Sequence, residues 1–128
     1  MKELTKAEEQ IMQELWTLEK AFVNDILERL PKPKPAYNTV STVVRILEKK
    51  GFVSYKAYGK SHQYYPLISK REYSRQLFKN LAGNYFSNSV KQMFSFFSKE
   101  KQLSLQELKE LRGLIDQEIE NKSDKSSK

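Results

Sequence analysis

The run Pro31-Lys32-Pro33-Lys34-Pro35 forbids a continuous helix through this part of the chain, because each proline lacks an amide donor and fixes φ. The residues on both sides are nevertheless spaced for helices. Before it, Val23, Ile26, Leu27 and Leu30 fall at i, i+3, i+4 and i+7, which predicts a short helix from about Val23 to Leu30. After it, Val40, Val43, Val44 and Leu47 form one apolar stripe over residues 37 to 50, with Ile46 flanking. Asn38, Ser41, Thr42, Arg45 and Lys49 fall on the opposite face. Gly51 stands where a C′ glycine ends a helix, and the lysines before it suit the negative end of the dipole. An earlier helix is opened by Thr5-Lys6-Ala7-Glu8, which has the form of a capping box. Its buried face is predicted at Ala7, Ile11, Leu15 and Leu18, beside Met12 and Trp16.

A hairpin follows the third helix. Phe52-Val53-Ser54-Tyr55-Lys56 reads as a strand, Tyr58-Gly59-Lys60-Ser61 as a turn and Gln63-Tyr64-Tyr65-Pro66-Leu67 as the return. Pro66 marks the end of the second strand or a sheet edge. Tyr64 and Tyr65 point to opposite faces, so one of them packs on the core. A short strand near Lys20 to Phe22 can add a third member. Three helices and a hairpin in this order make a winged helix-turn-helix, in which the third helix enters the major groove and the wing flanks the backbone.

From Ser69 onward the chain is helical again. Tyr73, Leu77, Leu81 and Tyr85 recur every four residues. Val90, Met93, Phe94 and Phe97 line a second helix from Ser89 to Phe97. Ser104-Leu105-Gln106-Glu107 opens a third, with Leu105, Leu108, Leu111, Ile115 and Ile119 on one side. A segment this small seldom buries enough surface to stand alone. Pairing with a second copy through Tyr73, Leu77, Leu81, Val90, Met93, Phe94, Phe97, Leu108, Leu111 and Ile115 is the simplest resolution; folding back on the first half is the other. The expected layout is a mainly α protein. Residues 1–69 form a winged-helix domain, 70–122 a helical dimerisation region and 123–128 a polar, frayed tail.

Charge points to a polyanion. The formal net charge is +7. Between Arg29 and Ser61 the basic residues Arg29, Lys32, Lys34, Arg45, Lys49, Lys50, Lys56 and Lys60 face Glu48 alone, so this window carries the whole excess. Double-stranded DNA is the expected partner. Asn38, Thr39, Ser41, Thr42 and Arg45 are candidates for base edges or phosphates, and Tyr37 for a phosphate or a thymine methyl. Lys56, Lys60 and Ser61 are the wing's candidates. Short polar residues near a helix start also serve as caps, and Asn38 fits that role too. His62 reads as an exposed polar residue. Cysteine is absent, so disulfides and thiolate chemistry are excluded, and with His62 the single histidine no His-based metal site or Ser/His/Asp triad is expected. No cofactor, metal, small-molecule substrate or enzymatic activity is expected. No apolar run approaches the roughly 18 residues of a membrane span. With an N-terminus unlike a signal peptide, a cytoplasmic location is expected.

Leu4-Thr5-Lys6-Ala7-Glu8-Glu9-Gln10-Ile11-Met12 with Leu15-Trp16 resembles the opening of the penicillinase-repressor family, of the BlaI/MecI/CopY type. The segment from Tyr37 to Val53 is similar to that family's recognition-helix motif, and Gly59 with Tyr64-Tyr65-Pro66 to its wing. The resemblance covers about residues 3 to 120. It implies a homodimer that represses transcription at a palindromic operator. In the antibiotic-resistance branch it also implies release by proteolysis, triggered by a membrane sensor-protease. The cut there precedes a phenylalanine in the segment matching Ser95-Phe96-Phe97-Ser98; that branch has Asn-Phe where this chain has Phe96-Phe97. The other reading of Phe94 and Phe97 is dimer core. The copper-responsive branch carries a C-terminal cysteine cluster that this chain lacks. The alternative to an operator-specific repressor is a winged-helix module that binds DNA without sequence preference, or binds protein.

Overall fold

The computed structural model describes residues 3 to 126. Helices α1 (Lys6–Leu18), α2 (Val23–Arg29) and α3 (Tyr37–Lys49) precede strands β1 (Val53–Tyr58) and β2 (Ser61–Pro66). Helices α4 (Lys70–Phe86), α5 (Val90–Lys101) and α6 (Leu105–Ser126) follow. The chain divides into two compact units between Asn80 and Leu81, inside α4. The first unit therefore extends past residue 69.

In the first unit α1 and α2 pack on α3, and the hairpin closes the core behind them. Ile11, Met12 and Leu15 from α1 meet Ile26 from α2 and Val40, Val44 and Leu47 from α3, all buried. The capping box of α1 is complete: Thr5 Oγ1 accepts from the Glu8 amide at 3.2 Å, and Glu8 Oε1 accepts from the Thr5 amide at 2.8 Å. After α2, Lys34 Nζ donates to the Leu27 and Glu28 carbonyls. The proline–lysine turn thus folds back to satisfy the acceptors that end the helix.

Helix α3 ends in a Schellman motif. Gly51 has φ +83°. Its amide donates to the Glu48 carbonyl at 3.0 Å and the Phe52 amide to the Leu47 carbonyl at 2.9 Å, with both Leu47 and Phe52 buried. The exit from the helix into β1 is therefore set by local bonds. In the hairpin Tyr58 pairs with Ser61 across a two-residue Gly59-Lys60 turn. Gly59 has φ +63°, the conformation that the first central position of a II′ turn requires. Tyr64 is buried and Tyr65 exposed, as alternation demands. The strand expected near Lys20 to Phe22 contracts to one bridge between Ala21 and Tyr64, with bonds of 2.8 and 2.9 Å.

Two residues expected in the dimerisation region belong to this core instead. Tyr73 is buried; its hydroxyl accepts from the Leu4 amide at 2.8 Å. Its ring lies 6.0 Å from Trp16 and 5.7 Å from Phe52. Leu77 packs against the same cluster. The start of α4 therefore serves the first unit.

Glu8 links α1 to the far end of α3. Its carboxylate is buried and accepts from Lys50 Nζ at 2.8 Å. Burial pushes this carboxyl up, but the hydrogen bonds from Lys50 and Thr5 outweigh it and hold it below its ordinary value. A depressed carboxyl stabilises the fold at neutral pH, and that contribution is lost as pH falls below about 4.3, the unperturbed glutamate value. Glu8→Gln is expected to cost about 1–3 kcal/mol at pH 7, the worth of a hydrogen bond to a charged group. In thermal melts the gap between variant and wild type should narrow on acidification to about pH 3; a gap independent of pH would contradict the ion pair.

In the second unit, Ser89 caps α5 through the Gln92 amide at 3.1 Å. Ser104 and Glu107 form the reciprocal box of α6, with both bonds at 3.1 Å. Helix α5 runs to Lys101, beyond the expected end at Phe97. Helix α6 continues through Ser126, where a frayed tail was expected; Ser127 and Lys128 lie outside the described residues. Among the described residues of this unit only Ala82 is buried. The rings of Phe86 and Phe96 meet at 5.5 Å.

Candidate nucleic-acid interface

With Val40, Val44 and Leu47 buried, the opposite face of α3 is fixed by helical geometry. Asn38, Thr42, Arg45 and Lys49 lie along its middle, all exposed. Thr39 and Ile46 form one edge. Tyr37, Ser41 and Arg45, spaced by four, form the other and turn toward the wing. Together with Lys60, Ser61 and His62 they line an open cleft of about 530 Å³, to which Phe22 and Asp25 also contribute. The structure thus gathers one edge of α3 and the wing tip around this cleft. Lys56 lies on β1 beside this cleft, its Nζ 5.4 Å from the centre of the Tyr58 ring.

The cations divide into two sets. Arg29 pairs with Glu14, Lys50 with Glu8, and Lys34 is held on the α2 carbonyls. Arg29 and Lys50 are thus neutralised within the protein, while Lys34 keeps its charge and is held in place by the carbonyls. Lys32, Arg45, Lys49, Lys56 and Lys60 have no ion-pair partner among the described residues. Within the window from Arg29 to Ser61, four of these five cations, Arg45, Lys49, Lys56 and Lys60, lie on α3 and the wing.

The start of α3 is open. Its N-cap is Ala36, which has no side-chain acceptor, and no acidic residue occupies the first turn. Asn38 is therefore not the cap, and its amide group remains available. Thr42 is more constrained: its Oγ1 donates to the Asn38 carbonyl at 2.8 Å. It retains acceptor lone pairs and its methyl group. Thr39 is exposed.

The wing is stiffened by rings. His62 stacks on Tyr55 with centroids 4.0 Å apart and planes 6° from parallel. It is half-buried, not the freely exposed residue its neighbours in sequence suggest. Tyr64 beneath it has its hydroxyl pushed up, chiefly by burial and further by Glu48, and stays neutral. Phe22 was not expected at this surface, and His62 was expected on the wing only as an exposed polar residue. Phe22 enters through the Ala21 bridge, a long-range pairing. The signal for His62 was its diagonal position from Tyr55 in the hairpin register, once Tyr58 and Ser61 are set opposite each other.

The dimerisation candidates outside the first unit remain uncovered within the chain. Leu81, Val90, Phe94, Phe97, Leu108 and Ile115 are exposed, and Met93 and Leu111 half-buried. Leu114 and Phe96, not counted among them, are exposed too. The Phe96–Phe97 bond lies within α5. Among the described residues no group of His, Asp or Glu comes together as a metal site would need, and no helix is long and apolar enough to cross a membrane.

A family model described as penicillinase repressor matches residues 4–117. The methicillin resistance regulatory protein MecI of Staphylococcus aureus (strain N315) is 28% identical over 114 residues, which is 88% of this chain and 93% of that protein. The penicillinase repressor of Bacillus licheniformis is 22% identical over 123 residues, 95% of this chain and 96% of its own. Among solved structures, the DNA-binding domain of the repressor BlaI aligns with 57% of this chain and 94% of its own length. Identity there is 26% and the TM-score 0.49.

Proposed function

The chain belongs to the penicillinase repressor family, and from that premise we propose that it is a homodimeric transcriptional repressor that binds a palindromic operator. The observation that carries this reading is the placement of unpaired charge. Arg45 and Lys49 on the exposed face of α3, and Lys56 and Lys60 on the wing, have no ion-pair partners among the described residues. A helix whose exposed face is neutral and hydrogen-bonding near its start and cationic further along, with a cationic wing beside it, fits a major groove between two phosphate strands. Asn38, Ser41 and Arg45 read base edges. Tyr37, Lys56, Lys60 and Ser61 engage the backbone, aided by the uncapped amides at the start of α3.

Dimerisation completes the reading. A second unit with one buried side chain among its described residues has no core of its own, and a second copy supplies one. Two recognition helices related by a two-fold axis match a palindrome. The resemblance extends the proposal to relief of repression by proteolysis near Phe96-Phe97, with a membrane sensor-protease upstream. Bound to DNA, the protein works in the cytoplasm.

The test is direct. Duplexes are selected from a randomised pool with the full-length protein, and affinities are measured by fluorescence anisotropy against a scrambled duplex. Arg45→Ala is expected to lose about 10- to 100-fold on the selected duplex, the worth of one good base contact, and much less on the scrambled one. Equal affinity of the wild type for both duplexes would instead favour the module without sequence preference.

A further inference from the structure

Helix α3 has one aliphatic side chain that the core does not take. Val40, Val44 and Leu47 are buried and Val43 packs against them. Ile46 stays 40% exposed and outside that cluster. Scattered exposed aliphatics are common and carry no meaning alone. The surroundings of this one are more specific. Thr42 lies one turn before it and Thr39 two turns before, so the three form a single row along the helix. No charge interrupts the row. The Thr42 hydroxyl proton is engaged on the Asn38 carbonyl, so that side chain offers outward only acceptor lone pairs and a methyl group. The result is a neutral, methyl-bearing strip on one edge of α3. The cationic cleft lies along the other edge.

The floor of the major groove has one apolar group, the 5-methyl of thymine. We propose that Ile46 is a specificity-determining residue that reads thymine by contact with this methyl group, supported by Thr42. The inference rests on the operator-binding reading above. It divides the work on α3 between two edges: hydrogen bonds on the Ser41 and Arg45 side, and methyl contact on the Ile46 side. Removing a methyl from such a contact exposes about one buried carbon group, equivalent to roughly four-fold in affinity.

The experiment uses the full-length protein and the duplex it selects from a randomised pool. Each thymidine is replaced singly by 2′-deoxyuridine, which keeps every hydrogen-bonding group and removes only the methyl. Affinities are measured for wild type, Ile46→Val and Ile46→Ala, with thermal melts to confirm that all three fold alike. The expected result is a loss of about four-fold for wild type at one or more positions in each half-site. The same replacement should have no effect on Ile46→Ala and an intermediate one on Ile46→Val. A deoxyuridine effect of equal size in wild type and Ile46→Ala, or none at any position, overturns the proposal while leaving operator binding intact. A pool that yields no preferred sequence overturns the operator reading itself, and the role of Ile46 with it.

Discussion

A chain carrying Leu111→Glu and Ile115→Glu is expected to sediment as a monomer and to bind its selected duplex about a hundred-fold more weakly than wild type, the range that bivalent attachment supplies. Leu111, Leu114, Ile115 and Ile119 line an open apolar groove of about 350 Å³ on α6. Nothing among the described residues of the second unit covers this groove, and of those residues only Ala82 is buried. Two glutamates on this strip would bury unpaired charge in any two-fold interface built on it. Unpaired charges there cost more than the lost apolar contact alone. The first unit has its own core and should keep its fold, so single-site contact with DNA survives while avidity does not. Sedimentation velocity and anisotropy on the same samples separate the two effects. A wild type that is monomeric at binding concentrations would remove the premise.

The second large effect belongs to the first unit. Phe52→Ala is expected to cost about 3–5 kcal/mol, the usual toll for deleting a buried aromatic ring. Phe52 is 1% exposed. It follows the glycine that ends α3, packs edge-on against Tyr73 at 5.7 Å and closes the core over Leu47. Small domains have about 5–15 kcal/mol in total, so this one ring is a large share. Phe97→Ala, at an exposed position of α5, serves as the contrast and should change the stability of the first unit by less than about 0.5 kcal/mol. Denaturant titration monitored at Trp16, which sits on the first core, measures both. Equal costs for the two variants would refute the division into a packed first unit and an uncovered second one.

Features governed by neighbours in sequence were legible before any coordinates. The Thr5–Glu8 box, Gly51 at the end of α3 and Gly59 in the wing turn each answer a backbone demand within four residues. The alternation of Tyr64 and Tyr65 follows from strand pleat alone. Features set by distant partners were not legible. Tyr73, Leu77, Leu81 and Tyr85 share one helical stripe, and periodicity identifies the stripe without saying what covers it. Leu4 and Trp16 claim its first half, while Leu81 and Tyr85 remain exposed. Glu8 read as Thr5's partner in a capping box, yet its second partner is Lys50 at the far end of another helix. The charge window from Arg29 to Ser61 was right in sign and too generous in amount, since Arg29 and Lys50 are paired with Glu14 and Glu8 from outside the window. On α3 the polar face was readable from the wheel. The back-bonded Thr42 was not, because a hydroxyl's choice between backbone and solvent leaves no mark on periodicity.

The placement of Phe96 and Phe97 in mid-helix has a kinetic meaning. Inside α5 the peptide groups are bonded to their own turn, and a protease cleft needs that backbone drawn out straight. Hydrolysis there must wait for the helix to open. Helix α5 buries none of its residues, which places it among the segments that open at small free-energy cost. Were this bond a cleavage site, the rate of cutting would be the product of an opening equilibrium and the protease's own turnover wherever opening and reclosing outpace hydrolysis. Whatever packs onto α5 lowers the first factor, so a copy engaged with its twin would resist hydrolysis longer than a solitary one.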